Sequence, residues 1–171
     1  MTSVMLLEAL KLRTEAATKE LLMPVKPTKG EPEPEIRVPK VYIARLPDEK
    51  ASNKYAPYVL HTVINTTYKQ EEGSFPLLGL VNVRTLYCVY SPDEQEGGLY
   101  LLNLMERIRI DLQINPILEK QFKLDFDDGI EQLVYPDDTA PFYLGEMMTT
   151  WKMPPVQREE MSVWERKPQM T

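Results

Sequence analysis

The side chains best suited to chemistry are a short run of aspartates, Asp125, Asp127 and Asp128. Their spacing is similar to the beginning of a calcium-binding loop, in which carboxylates alternate along the chain. The match fails at Gly129, because that loop position requires Asp or Asn, and no Glu follows at the required spacing. We therefore interpret the run as a solvated hairpin turn.

A lone histidine, His61, and a lone cysteine, Cys88, are the other candidates for ligation or nucleophilic chemistry. Both fall in predicted strands, where a buried structural role is the more common one. If Asp137 and Asp138 joined the first aspartates in space, a weak cation site would form, and a small metal-dependent hydrolase is therefore kept as an alternative. No Gly-rich phosphate loop, CxxC pair or HExxH helix is present, so the residues indicate no reaction, cofactor or metal.

The composition is that of a globular protein with a substantial core. With 171 residues, of which 43% are hydrophobic and 27% charged, one domain is expected. The net charge of -6 argues against a nucleic-acid-binding surface over the whole molecule. No apolar run reaches the roughly 20 residues that cross a bilayer. Glu8 and Lys11 interrupt the N-terminal apolar stretch, so we predict an intracellular protein without a signal peptide.

Residue periodicities predict an α+β fold. β-Branched and aromatic residues alternate over positions 81–90, which predicts a central strand. Apolar residues then recur at helical spacing from about Leu99 to Leu112. Gly97 and Gly98 would each cost about 1 kcal/mol inside a helix, so we expect residues 93–98 to form an exposed acidic loop. Ser-Pro-Asp-Glu at positions 91–94 is a capping-box arrangement, which leaves open a helical turn at the start of that loop.

The chain divides into four segments within one structural domain. We predict an N-terminal helix over residues 1–23, a proline-rich linker over 24–40, an α+β core over 41–155 and a charged C-terminal tail over 156–171. The linker would let the first helix swing away and dock elsewhere. The core would hold a mainly antiparallel sheet, packed by the N-terminal and central helices, with predicted strands at 41–46, 58–67, 81–90, 122–126, 130–135 and 142–152. The strands at 122–126 and 130–135 are expected to form a hairpin.

Five segments occur in a characteristic order: APYVL, VNVRTLYCVY, an acidic glycine-containing loop, LYLLNLMERIRIDL and YLGEMMTTWKMPPV. This order resembles tail-terminator, or tail-completion, proteins of long-tailed bacteriophages. The resemblance spans about residues 40–157, and it lies in the order of the segments rather than in one motif.

The resemblance implies a compact α+β protein that assembles as a hexameric ring on the head-facing end of the tail tube. Such a ring halts tube polymerisation and presents a surface for head joining. The implied partners are further copies of the chain, the tail tube protein and a head connector or neck protein, with DNA passing through the lumen without specific binding. The implied location is the virion, at the head–tail junction, after assembly in the host cytoplasm, and the implied role is not enzymatic. Another phage neck protein, such as a head-completion or adaptor subunit, is the neighbouring alternative.

The family offers no catalytic residues to transfer, so the candidate interface residues come from side-chain chemistry. They are the acidic residues of the predicted loop, two arginines of the helix and two large residues of the last strand: Asp93, Glu94, Glu96, Arg107, Arg109, Met147 and Trp151. Met and Trp are enriched at interface centres, although they are equally ordinary in a core. An acidic loop facing the lumen would repel passing DNA. Trp164 is a further candidate anchor, or an incidental residue, in the charged tail.

Overall fold

The computed structural model describes residues 2–30, 35–70, 77–136 and 139–156. Several predictions lie outside these residues: the middle of the proline-rich linker, the pair Asp137 and Asp138, and the tail from position 157 onward with Trp164.

The described chain forms helices and strands in one α+β domain. The α-helices are α1 (Ser3–Thr18) and α2 (Glu94–Ile114), and a 3-10 helix spans Glu49–Tyr55. The strands are β1 (Met23–Pro24), β2 (Ile36–Arg37), β3 (Lys40–Ile43), β4 (Tyr58–Lys69), β5 (Leu78–Tyr90), β6 (Ile117–Leu118), β7 (Phe122–Leu124), β8 (Ile130–Val134) and β9 (Phe142–Met153). The predicted fold class is confirmed.

The main sheet is built around β5, which pairs along its whole length. Its strand order is β3-β4-β5-β9-β7-β6, and β8 also pairs with β9. Only β3 and β4 run parallel; the other pairs in the described sheet are antiparallel. Because β5 occupies one edge of β9, strands β7 and β8 follow one another along its other edge.

Both α-helices pack on one face of this sheet. Alternate residues of β5 point into that core and are fully buried, as the period of two predicts. Each α-helix packs its apolar stripe into the same core. Burial of each such side chain stabilises the fold by about 1.5–3 kcal/mol. The largest fully buried side chains of this core are Leu6, Leu10, Met23, Tyr87, Leu101, Leu104, Met105, Ile108, Leu112, Phe122 and Trp151.

On the opposite face of the sheet, the described residues form a cover at one end only. There the segment between β3 and β4 folds back and encloses a smaller cluster, whose members are Leu46, Ala56, Tyr58, Cys88, Tyr90 and Phe142. The other end of this face carries polar side chains, including an ion pair between Arg84 Nε and Glu146 Oε2 at 2.5 Å.

The predicted acidic loop at residues 93–98 is wrong, because α2 begins at Glu94. The Asp93 carboxylate accepts hydrogen bonds from the backbone N–H of Gln95 at 2.8 Å and of Glu96 at 3.2 Å, which caps the helix. Gly97 is buried, and a Cβ there would lie 2.0 Å from Cε2 of Tyr143. The glycine therefore permits a close approach of the helix to β9, and packing offsets its unfavourable helix propensity.

The prediction that the N-terminal helix swings away on a loose linker is also wrong. Helix α1 ends at Thr18, and its residues Leu6 and Leu10 lie in the main core. At the two ends of the linker, β1 and β2 pair with each other. The Arg37 guanidinium, whose pKa is lowered by burial, donates hydrogen bonds to the carbonyls of residues 55, 56 and 57. These contacts hold the described parts of the linker on the body.

The predicted hairpin at residues 122–135 does not form. Strands β7 and β8 both pair with β9 rather than with each other. Residues 125–129 form a loop between them, in which Gly129 has a φ of 78°. Strand β9 is long enough to pair with β7 along one part of its edge and with β8 along another. Pairing with β9 therefore replaces the predicted pairing of β7 with β8.

Candidate interaction surface

The two halves of β4 have different neighbours. Residues 58–61 lie between β3 and β5, whereas residues 62–69 pair with β5 alone in the described structure. The change occurs where β3 ends at Ile43, opposite His61. Ala44 follows with a φ of 65°, a left-handed conformation that turns the chain away from β4. We call the open side of residues 62–69 the β4 edge.

The β4 edge is rich in strand-forming residues and poor in charge. It contains three threonines and one charged residue, Lys69. Ile64 is 50% exposed and Tyr68 is 59% exposed, and Leu77, just before β5, is also exposed. A strand edge leaves backbone N–H and C=O groups directed outward, which makes it a template for pairing with another strand. Such a long and weakly charged edge is therefore suited to strand addition.

A second open edge lies on the opposite side of the same sheet. Within the described residues β8 pairs only with β9, and we call its other side the β8 edge. Leu133 is 49% exposed and Val134 is 43% exposed, while Glu131 is the charged residue of the strand. The Gln132 side chain donates to the Met105 carbonyl at 3.3 Å, which fixes β8 beneath α2.

Polar side chains connect the strands on the face of the sheet opposite the two α-helices. Asn82 Nδ2 donates to Asn65 Oδ1 at 2.7 Å, and Thr150 Oγ1 lies 2.6 Å from Asn82 Oδ1 and also contacts Asp128. These contacts cross β4, β5 and β9 and so stiffen the sheet up to the β4 edge. Beside them is an open cleft of about 380 Å³, lined by both Asn82 and Thr150 and by Thr67, Lys69, Leu80, Asp125, Asp127 and Asp128.

The carboxylates of Asp125 and Asp128 in this cleft have partners within the chain. Asp125 lies 3.5 Å from the Lys152 ammonium, and its Oδ1 accepts from the backbone N–H of Asp127 at 3.2 Å. Among the residues that the structure describes, no group of three or more His, Cys, Asp or Glu side chains is placed to hold a metal ion.

The candidate residues on α2 are spread along the helix. Asp93, Glu94 and Glu96 are exposed at its N-terminus, where acidic side chains interact favourably with the helix dipole. Arg107 is exposed some 13 residues further on, roughly 20 Å along the axis at 1.5 Å per residue. Arg109 is held by Glu106 and Gln113, and its hydrogen bond to Glu106 raises the arginine pKa. The fold therefore does not bring the acidic and basic candidates together.

The same helix also presents aliphatic side chains outward. Leu102, Ile110 and Ile114 are exposed, and they share a helix face with Glu106 because successive members are four residues apart. Leu102, Ile110 and Ile114 were not among the predicted site residues, since apolar residues at helical spacing also form the buried stripe of α2.

Met147 and Trp151 are core residues, which corrects their selection as interface candidates. Both are fully buried. Trp151 Nε1 donates to Thr149 Oγ1 at 3.0 Å, and Met147 Sδ accepts from the Tyr87 hydroxyl at 3.8 Å. Their position on the inner face of β9 follows from the period of two along the strand, so neither reaches a partner on the folded chain.

His61 and Cys88 are also enclosed. His61 Nε2 and Nδ1 lie 2.8 Å from the hydroxyls of Thr14 and Thr85, and burial lowers the histidine pKa to about 4. Burial raises the pKa of the Cys88 thiol to about 12. His61 thus links α1 to the sheet as a neutral ring, and Cys88 is an unreactive thiol in the folded protein.

Sequence reasoning did not select the β4 edge. The alternating residues predicted the strand itself, but periodicity does not show which strands are neighbours or where a neighbour ends. The available signal was the threonine-rich, weakly charged composition of residues 62–69.

Comparison with known proteins adds no relative: no protein-family model matches the chain, and neither does any curated protein. In the described ranges, neither helix combines the length and the apolar character that crossing a membrane requires.

Proposed function

We propose that this protein is a structural virion protein, a tail terminator that forms a ring on the head-facing end of a phage tail tube. In this role it stops tube polymerisation and provides the surface that joins the head. The ring is a hexamer, and its partners are the tail tube protein and a head connector or neck protein. DNA passes through the lumen without specific binding.

The β4 edge is the observation that carries this proposal. Within the described residues this segment pairs with β5 alone, and its exposed Ile64 and Tyr68 suit it to association between chains. The acidic residues Asp93, Glu94 and Glu96 lie at the start of α2 rather than in a loop, so the proposed ring has no flexible acidic loop from these residues in its lumen. The confirmed α+β fold is the fold that the sequence resemblance implies.

The proposed mechanism is surface complementarity rather than catalysis. A head-to-tail interface gives a ring when its rotation closes and a filament when it does not. In the proposed role the contact between subunits closes into a ring, and the head-facing surface of that ring does not bind another tube layer. The protein would then be found in the virion at the head–tail junction, after assembly in the host cytoplasm.

Negative-stain microscopy of the purified protein mixed with its own tail tubes tests the proposal. We expect rings at one end of each tube, and tubes of shorter or more uniform length when the protein is present during polymerisation. Ala16→Lys, an added charge on the exposed side of α1, is a control that should cap tubes normally. Bare tubes, with the protein co-purifying with the portal instead, would replace the terminator by the neck-adaptor alternative.

A further inference from the structure

We infer that the β4 edge of one copy pairs with the β8 edge of the next copy, so that the sheets of neighbouring subunits join through backbone hydrogen bonds. This inference rests on the proposed function, since it specifies the contact between subunits of the ring. The partner of each open edge is thus a second copy of this chain.

The positions of the two edges determine the kind of interface. They lie on opposite sides of one sheet, with β4, β5, β9 and β8 between them in that order. A copy that offers its β8 edge to a neighbour therefore keeps its β4 edge free for the copy on the other side. This contact is heterologous, and repetition of a heterologous contact produces a ring when its rotation closes.

The β4 edge and the β8 edge are complementary in length and in their exposed side chains. The five residues of β8 match in number the five residues of β4 that follow the irregularity at Ile64, from Asn65 to Lys69. Each edge exposes two large apolar side chains, Ile64 and Tyr68 on one and Leu133 and Val134 on the other. The single charge within the β4 edge is Lys69 and that of β8 is Glu131, so the two strands carry opposite charges. Apolar and opposite-charge pairs across neighbouring strands are stabilising.

A symmetric pairing of two β4 edges is the competing arrangement. It would use the same surface twice and give a closed dimer, with both β8 edges left open. The two arrangements predict different cross-links, because only the heterologous one places β4 of one copy beside β8 of another.

Cross-linking between two variants that each carry one added cysteine distinguishes these arrangements. The variants are Thr66→Cys on the β4 edge and Leu133→Cys on the β8 edge. The natural thiol does not interfere, because Cys88 is the one cysteine of the chain and is buried. A short bismaleimide is added to each variant alone and to their mixture, both with and without tail tubes, and the products are separated by denaturing electrophoresis.

We expect a cross-linked dimer in the mixture that is absent from either variant alone. The double variant should give a ladder of products that ends at the size of the ring. A dimer of Thr66→Cys alone would overturn the inference in favour of symmetric pairing. The absence of a mixed dimer both with and without tubes would overturn it as well.

Two further variants separate this inference from the proposed function. Ala16→Cys, on the exposed side of α1, controls for random collision and should form no cross-link with Leu133→Cys. Tubes capped by rings that lack the mixed cross-link would refute the edge pairing and leave the terminator role intact. A mixed cross-link in a protein that never binds tubes would support the edge pairing and refute the terminator role.

Discussion

The two halves of β4 belong to one continuous strand but experience different surroundings. Val59 and His61 in the first half are fully buried, whereas Ile64 and Tyr68 in the second are at least half exposed. Both halves pair with β5, but the first half also lies beside β3 and contacts α1, whose Thr14 reaches His61. Strand character therefore does not determine burial; the elements packed around the strand do. The first half stabilises the fold, and the second is available to a partner.

A lysine introduced into each half of β4 should separate these roles, because the free energy of unfolding should fall much more for the first half than for the second. Val59→Lys places an unpaired ammonium in the core, and we expect it to lower the free energy of unfolding by more than about 4 kcal/mol. Thr67→Lys, on the β4 edge, should change it by less than about 0.5 kcal/mol. Urea unfolding followed by circular dichroism measures both.

The Thr67→Lys variant also distinguishes an effect on folding from an effect on assembly. Thr67→Lys should fold normally and fail to cap tail tubes, because a second lysine beside Lys69 discourages strand pairing. A folded Thr67→Lys protein that caps tubes as well as the natural chain would contradict the assignment of an assembly role to the second half.

His61 at the boundary predicts how stability depends on pH. Its folded-state pKa of about 4 lies below the ordinary value of 6.5, so the unfolded chain binds the proton more readily. Stability from the neutral ring is present above pH 6.5 and is lost as the pH falls toward 4. We expect a loss of about 3 kcal/mol over that interval, at 1.36 kcal/mol per pKa unit. Urea unfolding at several pH values measures it.

His61→Gln supplies the control, since glutamine offers hydrogen-bonding groups without titrating in this range. The variant should be less stable at pH 7 but should lose most of the dependence between pH 6.5 and 4. An unchanged pH dependence in the variant would show that carboxylates, rather than His61, produce it.

Two adjacent glycines of α2 repeat the contrast between enclosed and open positions on a smaller scale. Gly97→Ala places its Cβ against Tyr143, and we expect a loss of about 1–3 kcal/mol from overpacking. Gly98→Ala meets no atom within 4 Å and should gain up to about 1 kcal/mol from its better helix propensity. Thermal unfolding of both variants measures these changes in stability. Equal changes for Gly97→Ala and Gly98→Ala would contradict the close approach of α2 to β9.

Ala44, which turns the chain away from β4, should show the smallest effect. Its left-handed conformation costs an L-residue roughly 1–2 kcal/mol, and glycine recovers this at an entropic cost of about 0.5–1 kcal/mol. We expect Ala44→Gly to raise stability by up to about 1 kcal/mol. Ala16→Gly on exposed α1 should lower it by about that amount. If both variants were destabilised equally, the conformation assigned to Ala44 would be wrong.

Local patterns predicted much of the fold. Alternation identified β4, β5 and β9 closely, and helical spacing identified α2 from Leu99 onward. The first turn of α2 was missed because glycine propensity was weighed without knowledge of Tyr143, which lies far along the chain. Likewise β7 and β8 were paired with each other because a local Asp-Gly turn was visible and the long edge of β9 was not.

Candidate interface residues were harder to predict, since residue type does not reveal exposure. Met147 and Trp151 were selected for their chemistry, and the inner face of β9 buries them. The β4 edge depends on where β3 ends, which is a property of the assembled sheet. Open backbone groups carry no sequence signal of their own, because every residue except proline has them.

Hydrogen exchange along β4 tests the central claim most directly. Exchange is followed by mass spectrometry in the protein alone and in the protein bound to its tail tubes, with peptides that separate residues 58–61 from 62–69. We predict slow exchange of the first half in both states, and a marked gain of protection in the second half on assembly. Equal exchange of residues 62–69 in both states would contradict the claim that this edge pairs with a neighbouring subunit.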